Sequence, residues 1–316
     1  MNVPNASSSP VLERIEAGEF VAEIAPSIGG ALVAFYSRAT SAGPRHDWLR
    51  DGSAAARAGA DAFELASFPL VPWCNRIRDG RFEWNGRVVQ LAPNRPGSPH
   101  TIHGIGWSRP WRVTGRDTGW IELAFEDDGR GDWPFPFVAT QRYTLDAEGL
   151  AITLALRNTG IESLPAGLGH HPFLPHRREG AGTRLAAAVD AIWLGDADVL
   201  PISLSTTHPV LEALRSGTRI DRFVLDNNFT GFGHQARVAW PDGSTLTLEG
   251  EAPLDFFVLY SPSDRDVFVI EAVSNCTDWM NLRRAPRAEP AAHVGGTGLA
   301  PGASLGCVTR LRPVRA

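Results

Sequence analysis

Tyr143-Thr144-Leu145-Asp146-Ala147-Glu148-Gly149-Leu150-Ala151-Ile152-Thr153-Leu154 reads as two strands about a tight turn. Apolar and small polar residues alternate on either side of Asp146-Ala147-Glu148-Gly149, and the glycine accepts backbone angles that a side chain resists. The same signal recurs outward in both directions. Phe20, Ala22 and Ile24 alternate up to Gly29-Gly30, and Leu32, Ala34 and Tyr36 alternate beyond it. Ile121, Leu123 and Phe125 keep the period of two. Val238-Ala239-Trp240 and Thr245-Leu246-Thr247-Leu248 flank Pro241-Asp242-Gly243, and Ser261-Pro262-Ser263-Asp264 separates strands at 255–260 and 267–273. Only Leu211 to Ser216 and Ala54 to Leu65 suggest short helices. With 32 glycines and 24 prolines spread along 316 residues, the chain is expected to be all-β, a large single-domain antiparallel β-sandwich. Residues 1–12 are expected to be a disordered leader, polar and small, and residues 13–316 one domain.

A chain of this length can bury roughly three quarters of its unfolded surface. Its net charge of −5, with acids and bases interspersed, argues against a nucleic-acid or anionic-membrane partner. Cys74, Cys276 and Cys307 are isolated, which fits a reducing compartment better than a disulfide framework. No basic and apolar leader and no apolar run of spanning length is present, so a cytoplasmic location is expected.

The chemistry centres on Gly167-Leu168-Gly169-His170-His171-Pro172-Phe173-Leu174-Pro175. The proline holds His171 extended, and neighbours on a strand face opposite ways. One histidine is therefore expected to work in a site while the other packs. Two further polar clusters suit such a site. Asn75-Arg76-Ile77 precedes Arg78 and a turn at Gly80, and Arg76 offers a planar fork of donors for hydroxyls or a carboxylate. An arbitrary arginine is usually only solvated. His100 and His103 have a metal-like spacing, but the glycines make a loop and no thiol or carboxylate completes a set. His103 is expected to face a substrate, and no metal or cofactor is expected.

Taken together, Asn75-Arg76-Ile77 with Gly80, Phe82 and Gly86, then His103-Gly104, then His171-Pro172-Phe173, resemble the aldose 1-epimerase (galactose mutarotase) family. The likeness continues through Leu225-Asp226-Asn227-Asn228-Phe229, Phe268-Val269-Ile270-Glu271-Ala272-Val273 and Pro301-Gly302, and so spans about Phe20 to Arg312. The resemblance implies a galactose mutarotase-like β-sandwich and a role for each matching position. Glu271 would be the base at the anomeric hydroxyl and His171 the acid at the ring oxygen. Arg76 and His103 would hold and polarise the ring, Asp226 would accept from a sugar hydroxyl, and Asn75 would join them in binding substrate. Phe173 stands where the family often has Tyr or Trp, and Gly169-His170 replace a different partner; both bear on sugar preference.

The residue types suit that reaction. Opening a hemiacetal needs a base and an acid, and reference pKa values of about 4.3 and 6.5 let an ionised Glu and a partly protonated His coexist. On a strand, Phe268, Ile270 and Ala272 would line one face, leaving Glu271 between Val269 and Val273 on the other, an unusual place for a carboxylate without a task. The expected substrate is a free, unphosphorylated aldose. Two alternatives stand beside it. A hexose 6-phosphate epimerase would draw part of a phosphate clamp from Arg76, Arg78 and Arg81, of which Arg76 and Arg78 are expected to share a strand face and Arg81 is not. A non-catalytic carbohydrate-binding module would use some of the ten tryptophans as stacking platforms, but would need neither Glu271 nor His171.

Overall fold

In the computed structural model the described residues are 10–41, 43–284 and 290–316. They form an antiparallel all-β sandwich. One large sheet of nine strands contains the Phe137–Asp146 and Gly149–Asn158 hairpin and the C-terminal strand Ser304–Val314. Asp146 lies opposite Gly149, as the turn residues require, and nine more residue pairs follow in unbroken register. Burial alternates along both strands of this hairpin, so this sheet shows one face to water.

The second sheet, of eight strands, carries the site. At its centre Leu225–Thr230, Phe256–Ser261 and Val267–Val273 lie side by side. The last two are buried along almost their whole length, which marks a sheet covered on both faces. One face shares a core with the nine-stranded sheet, and His170 and Gln141 meet across the interface, Nε2 to Oε1 at 2.8 Å. The other lies under loops from the first third of the chain.

The strand from Val267 to Val273 falls where the alternation placed it, and the expected hairpins are present. The helices differ in extent. Ser53–Arg57 is a single turn followed by a separate 3-10 turn at Ala62–Glu64, because Gly59 turns the chain at φ +72°. Pro209–Ser216 begins two residues earlier than expected, where His208 caps it through Nδ1. Of the expected leader, residues 1–9 lie outside the described residues, and Leu12 packs against the core. Cys74, Cys276 and Cys307 are buried thiols.

One close approach fixes the loop that brings His103 into place. His103 and Gly104 both have positive φ, 61° and 71°, and a Cβ on Gly104 would lie 1.9 Å from the Val71 carbonyl oxygen. Gly18 also has positive φ, +57°, but open space around it. Gly18→Ala should cost only the left-handed penalty of about 1–2 kcal/mol. Gly104→Ala adds a backbone clash and should cost at least twice as much in urea unfolding. Equal losses for the two variants would contradict this packing.

Candidate active site

Register alone brings four side chains to one face. Asp226 pairs with Tyr260, Tyr260 with Val269, and Val269 with Phe173, so all four point the same way, and Glu271 lies two residues beyond Val269. Asp226, Tyr260, Phe173 and Glu271 line a cavity of about 310 Å³, with Asn75, Arg76, His103 and His171 completing its polar wall. Every residue to which the family resemblance gave a role is therefore in one place. His170 points into the sandwich instead, onto Gln141, which also donates to the Gly30 carbonyl.

Glu271 is 2% exposed, and Oε2 has no hydrogen-bond partner. Its nearest ionisable neighbour is His171, whose Nε2 lies 3.6 Å from Oε1. Burial, and then the Asp226 carboxylate, raise the Glu271 pKa well above the ordinary carboxylate range, with Arg76 opposing them. His171 lies between aromatic rings. Phe68 stacks on it at 4.6 Å and 13°, and Phe173 leans against it at 4.6 Å. This burial, reinforced by Arg50 and Arg76, lowers its pKa to about 3. Desolvation therefore works against the expected pairing of ionised Glu and partly protonated His, because it disfavours both charges and pulls the pair towards a protonated Glu271 and a neutral His171.

His103 is fixed by the Asn75 hairpin. The Asn75 N–H donates to His103 Nδ1 at 3.1 Å, and the His103 N–H donates to the Asn75 carbonyl at 3.0 Å. Nδ1 must therefore lack a proton, which leaves Nε2–H as a donor. Burial, with His171, Arg76 and Arg95 nearby, keeps this ring neutral. Asn75 Oδ1 accepts from the Arg76 N–H at 2.8 Å, and the Arg76 guanidinium donates to Asp226 at 3.1 Å. The Asp278 N–H donates to the Arg76 carbonyl at 2.8 Å and its side chain accepts from the Arg78 N–H at 3.0 Å, which holds this hairpin to the segment after the Glu271 strand.

Other candidates fall elsewhere. His100 Nδ1 accepts from the Asp79 N–H. Arg78 bonds Asp196 outside the cavity, and Arg81 is exposed; after Ile77 the chain enters a turn at Asp79, φ 53°, instead of continuing the strand that would have aligned Arg76 with Arg78. No tryptophan lines the cavity. Among the described residues no group of three or more His, Cys, Asp and Glu is placed to hold a metal, and no helix is long and apolar enough to cross a membrane.

The sequence matches the family model for aldose 1-epimerase over residues 14–312. The chain belongs to the aldose 1-epimerase family. The uncharacterised Escherichia coli K12 protein YphB is 30% identical over 225 residues, 69% of this chain and 76% of that protein. A candidate aldose 1-epimerase of Escherichia coli K12 superposes with a TM-score of 0.83 at 26% identity, covering 97% of this chain and 99% of its own. A galactose 1-epimerase from Lactobacillus acidophilus shares the fold, with a TM-score of 0.73 at 17% identity over 100% and 97% of the two chains.

Beyond the family motifs, the aldose 1-epimerase cavity is also lined by Phe63, Glu64, Arg95, Ile102, Tyr260 and Arg265. Sequence reading missed these because Phe63, Glu64, Arg95 and Arg265 come from turns and loops, and Ile102 and Tyr260 from strands, whose mutual placement no local pattern encodes. Arg95 closes over Phe63 at 3.9 Å, and Arg50 over Phe173 at 3.7 Å, so cations cover the rings that enclose His171.

The shift at His171 has a measurable consequence. Below about 6.5 the unfolded chain takes a proton that native His171 refuses until about 3, so this group removes stability as pH falls through that window. Acidification from about pH 7 to about pH 5 should therefore destabilise wild type more than His171→Asn. The ¹⁵N shifts of His171 should remain those of a neutral ring throughout. A ring that titrates near 6.5 would contradict the burial described here.

Proposed function

We propose that this chain is an aldose 1-epimerase, a mutarotase that interconverts the α and β anomers of a free aldose by acid–base ring opening and closing. The observation that carries this reading is the Glu271–His171 pair, 3.6 Å apart at the buried floor of a polar cavity. Glu271 takes the proton of the anomeric hydroxyl as the bond between C1 and the ring oxygen breaks, and His171 delivers a proton to that oxygen. The aldehyde turns about its C1–C2 bond, and closure by the reverse transfers gives the other anomer. In the open-chain state Glu271 carries the proton and His171 is neutral. This is the distribution towards which burial pulls the pair, so the pair is set for the intermediate. To start from a closed sugar the proton must move to His171, and a hydroxyl donating to Glu271 with a ring oxygen accepting from His171 promotes that shift.

Arg76, His103 and Asp226 are assigned to the sugar hydroxyls, and Asn75 sets the first two in place. The Arg76–Asp226 contact offers both a donor and an acceptor, and His103 adds a fixed neutral donor. No tryptophan platform faces the cavity, whereas a buried carboxyl has no use in a binding module; both points favour catalysis.

Each positioned proton-transfer group typically contributes about 10²–10⁴-fold. Glu271→Gln and His171→Asn should each lower the polarimetric rate of anomer interconversion by that order while retaining the far-ultraviolet spectrum. Wild-type rates in either variant would remove it from the mechanism. Because native Glu271 stays protonated at pH values where the unfolded carboxyl ionises, it costs stability as pH rises above about 4.5. Glu271→Gln should consequently unfold at higher urea than wild type near neutrality. Asp226→Ala should raise KM as well as lower kcat, since each lost hydrogen bond to a charged group is worth about 1.5–3 kcal/mol. An unchanged KM would place Asp226 outside the binding site.

A further inference from the structure

The cavity holds a charge that anomer interconversion does not use. Of its three guanidiniums, Arg76 is paired with Asp226 at 3.1 Å, and Arg95 with Asp61 at 2.8 Å. Arg265 lines the same cavity from an exposed turn, and no acid pairs with its guanidinium among the described residues. Its backbone is anchored, with the Arg265 carbonyl accepting from Arg178 at 2.6 Å. Of the flanking acids, Asp266 is turned towards Arg178, at 3.7 Å. Glu64 on the cavity wall acts on Arg50. Of the guanidiniums that line the cavity, Arg265 alone has no acid partner among the described residues.

The position of that charge is also informative. Arg265 lies just before the strand whose fifth residue is Glu271, and four residues of strand span about 13 Å. Glu271 and His171 form the buried floor, while Arg265 stands at the mouth. A ring with C1 at the floor leaves room for one sugar between the two, and directs its far end at a free guanidinium. A planar fork grips a carboxylate or a phosphate with two parallel hydrogen bonds, but one guanidinium balances only the single charge of a carboxylate, whereas a phosphate monoester carries about −1.5 to −2 near neutral pH. Arg78 and Arg81 do not reach this cavity, and Arg95 is already committed to Asp61.

We propose that Arg265 reads the end of the substrate farthest from C1, and that the preferred aldose carries a carboxylate there: a hexuronate. This rests on the epimerase reading above. The test compares glucuronate, glucose and glucose 6-phosphate, with kcat/KM taken from exchange of the anomeric protons by saturation-transfer NMR, corrected for spontaneous mutarotation. Wild type should favour glucuronate over glucose by about tenfold or more, and the preference should shrink as salt is raised. Arg265→Gln should bring the ratio close to one, chiefly through KM for glucuronate, and Arg265→Glu should invert it. Arg265 is exposed, so these variants should fold, which circular dichroism checks. Equal or better use of glucose, better use of glucose 6-phosphate, or a ratio indifferent to position 265 would each overturn the proposal while leaving the epimerase reading intact. No exchange with any of the three sugars, in folded protein, would overturn both.

Discussion

A carboxyl group buried without a partner is the constraint around which this chain is arranged. Glu271 sits in a strand otherwise made of Val, Phe, Ile and Ala, with one oxygen unbonded and no cation in contact. Leaving such a group in an apolar setting costs free energy, and a hydrophobic replacement would be the stable choice. The surroundings make its position rigid and its proton poorly held by water. Phe68, Phe173 and Phe63 do the same to His171. The result is an acid and a base pushed towards each other's usual protonation state, a division of roles set by environment and not by residue type alone.

The fold supplies what this pair requires. Cross-strand register places Asp226, Tyr260, Phe173 and Glu271 on one face without help from any loop. The loops add what a sheet cannot, namely groups aimed downward at the sheet from outside. Asn75 and His103 each adopt positive φ, 62° and 61°, and hold each other through two hydrogen bonds. Strain of this kind costs of order 1–3 kcal/mol per residue and persists where the surroundings enforce it. Here Gly104 packs against Val71, and Asp278 holds the Arg76 backbone.

The strands and the division between His170 and His171 were legible in the sequence because both depend on a period of two. The X-Pro step and the alternation around Glu271 carry that information locally. Asp226 and Asn75 emerged only as part of a family resemblance, and Arg76 and His103 only as candidates in separate loops, since their convergence is tertiary. The alignment of Arg76 with Arg78 failed for a local reason, the turn at Asp79, which ends the strand after Ile77. Arg95 and Arg265 were invisible because each lies in a turn that reads as ordinary surface. The direction in which burial shifts the pair was not legible either: reference pKa values describe groups in water, and both groups are buried here.

The central claim is that Glu271 and His171 bracket the anomeric centre. A crystal structure of Glu271→Gln soaked with an aldose addresses it directly. The account predicts the anomeric oxygen against the residue 271 side chain and the ring oxygen against His171 Nε2, with Arg76, His103 and Asp226 on the remaining hydroxyls. A sugar bound with C1 towards the cavity mouth, or with its ring oxygen away from His171, would contradict it.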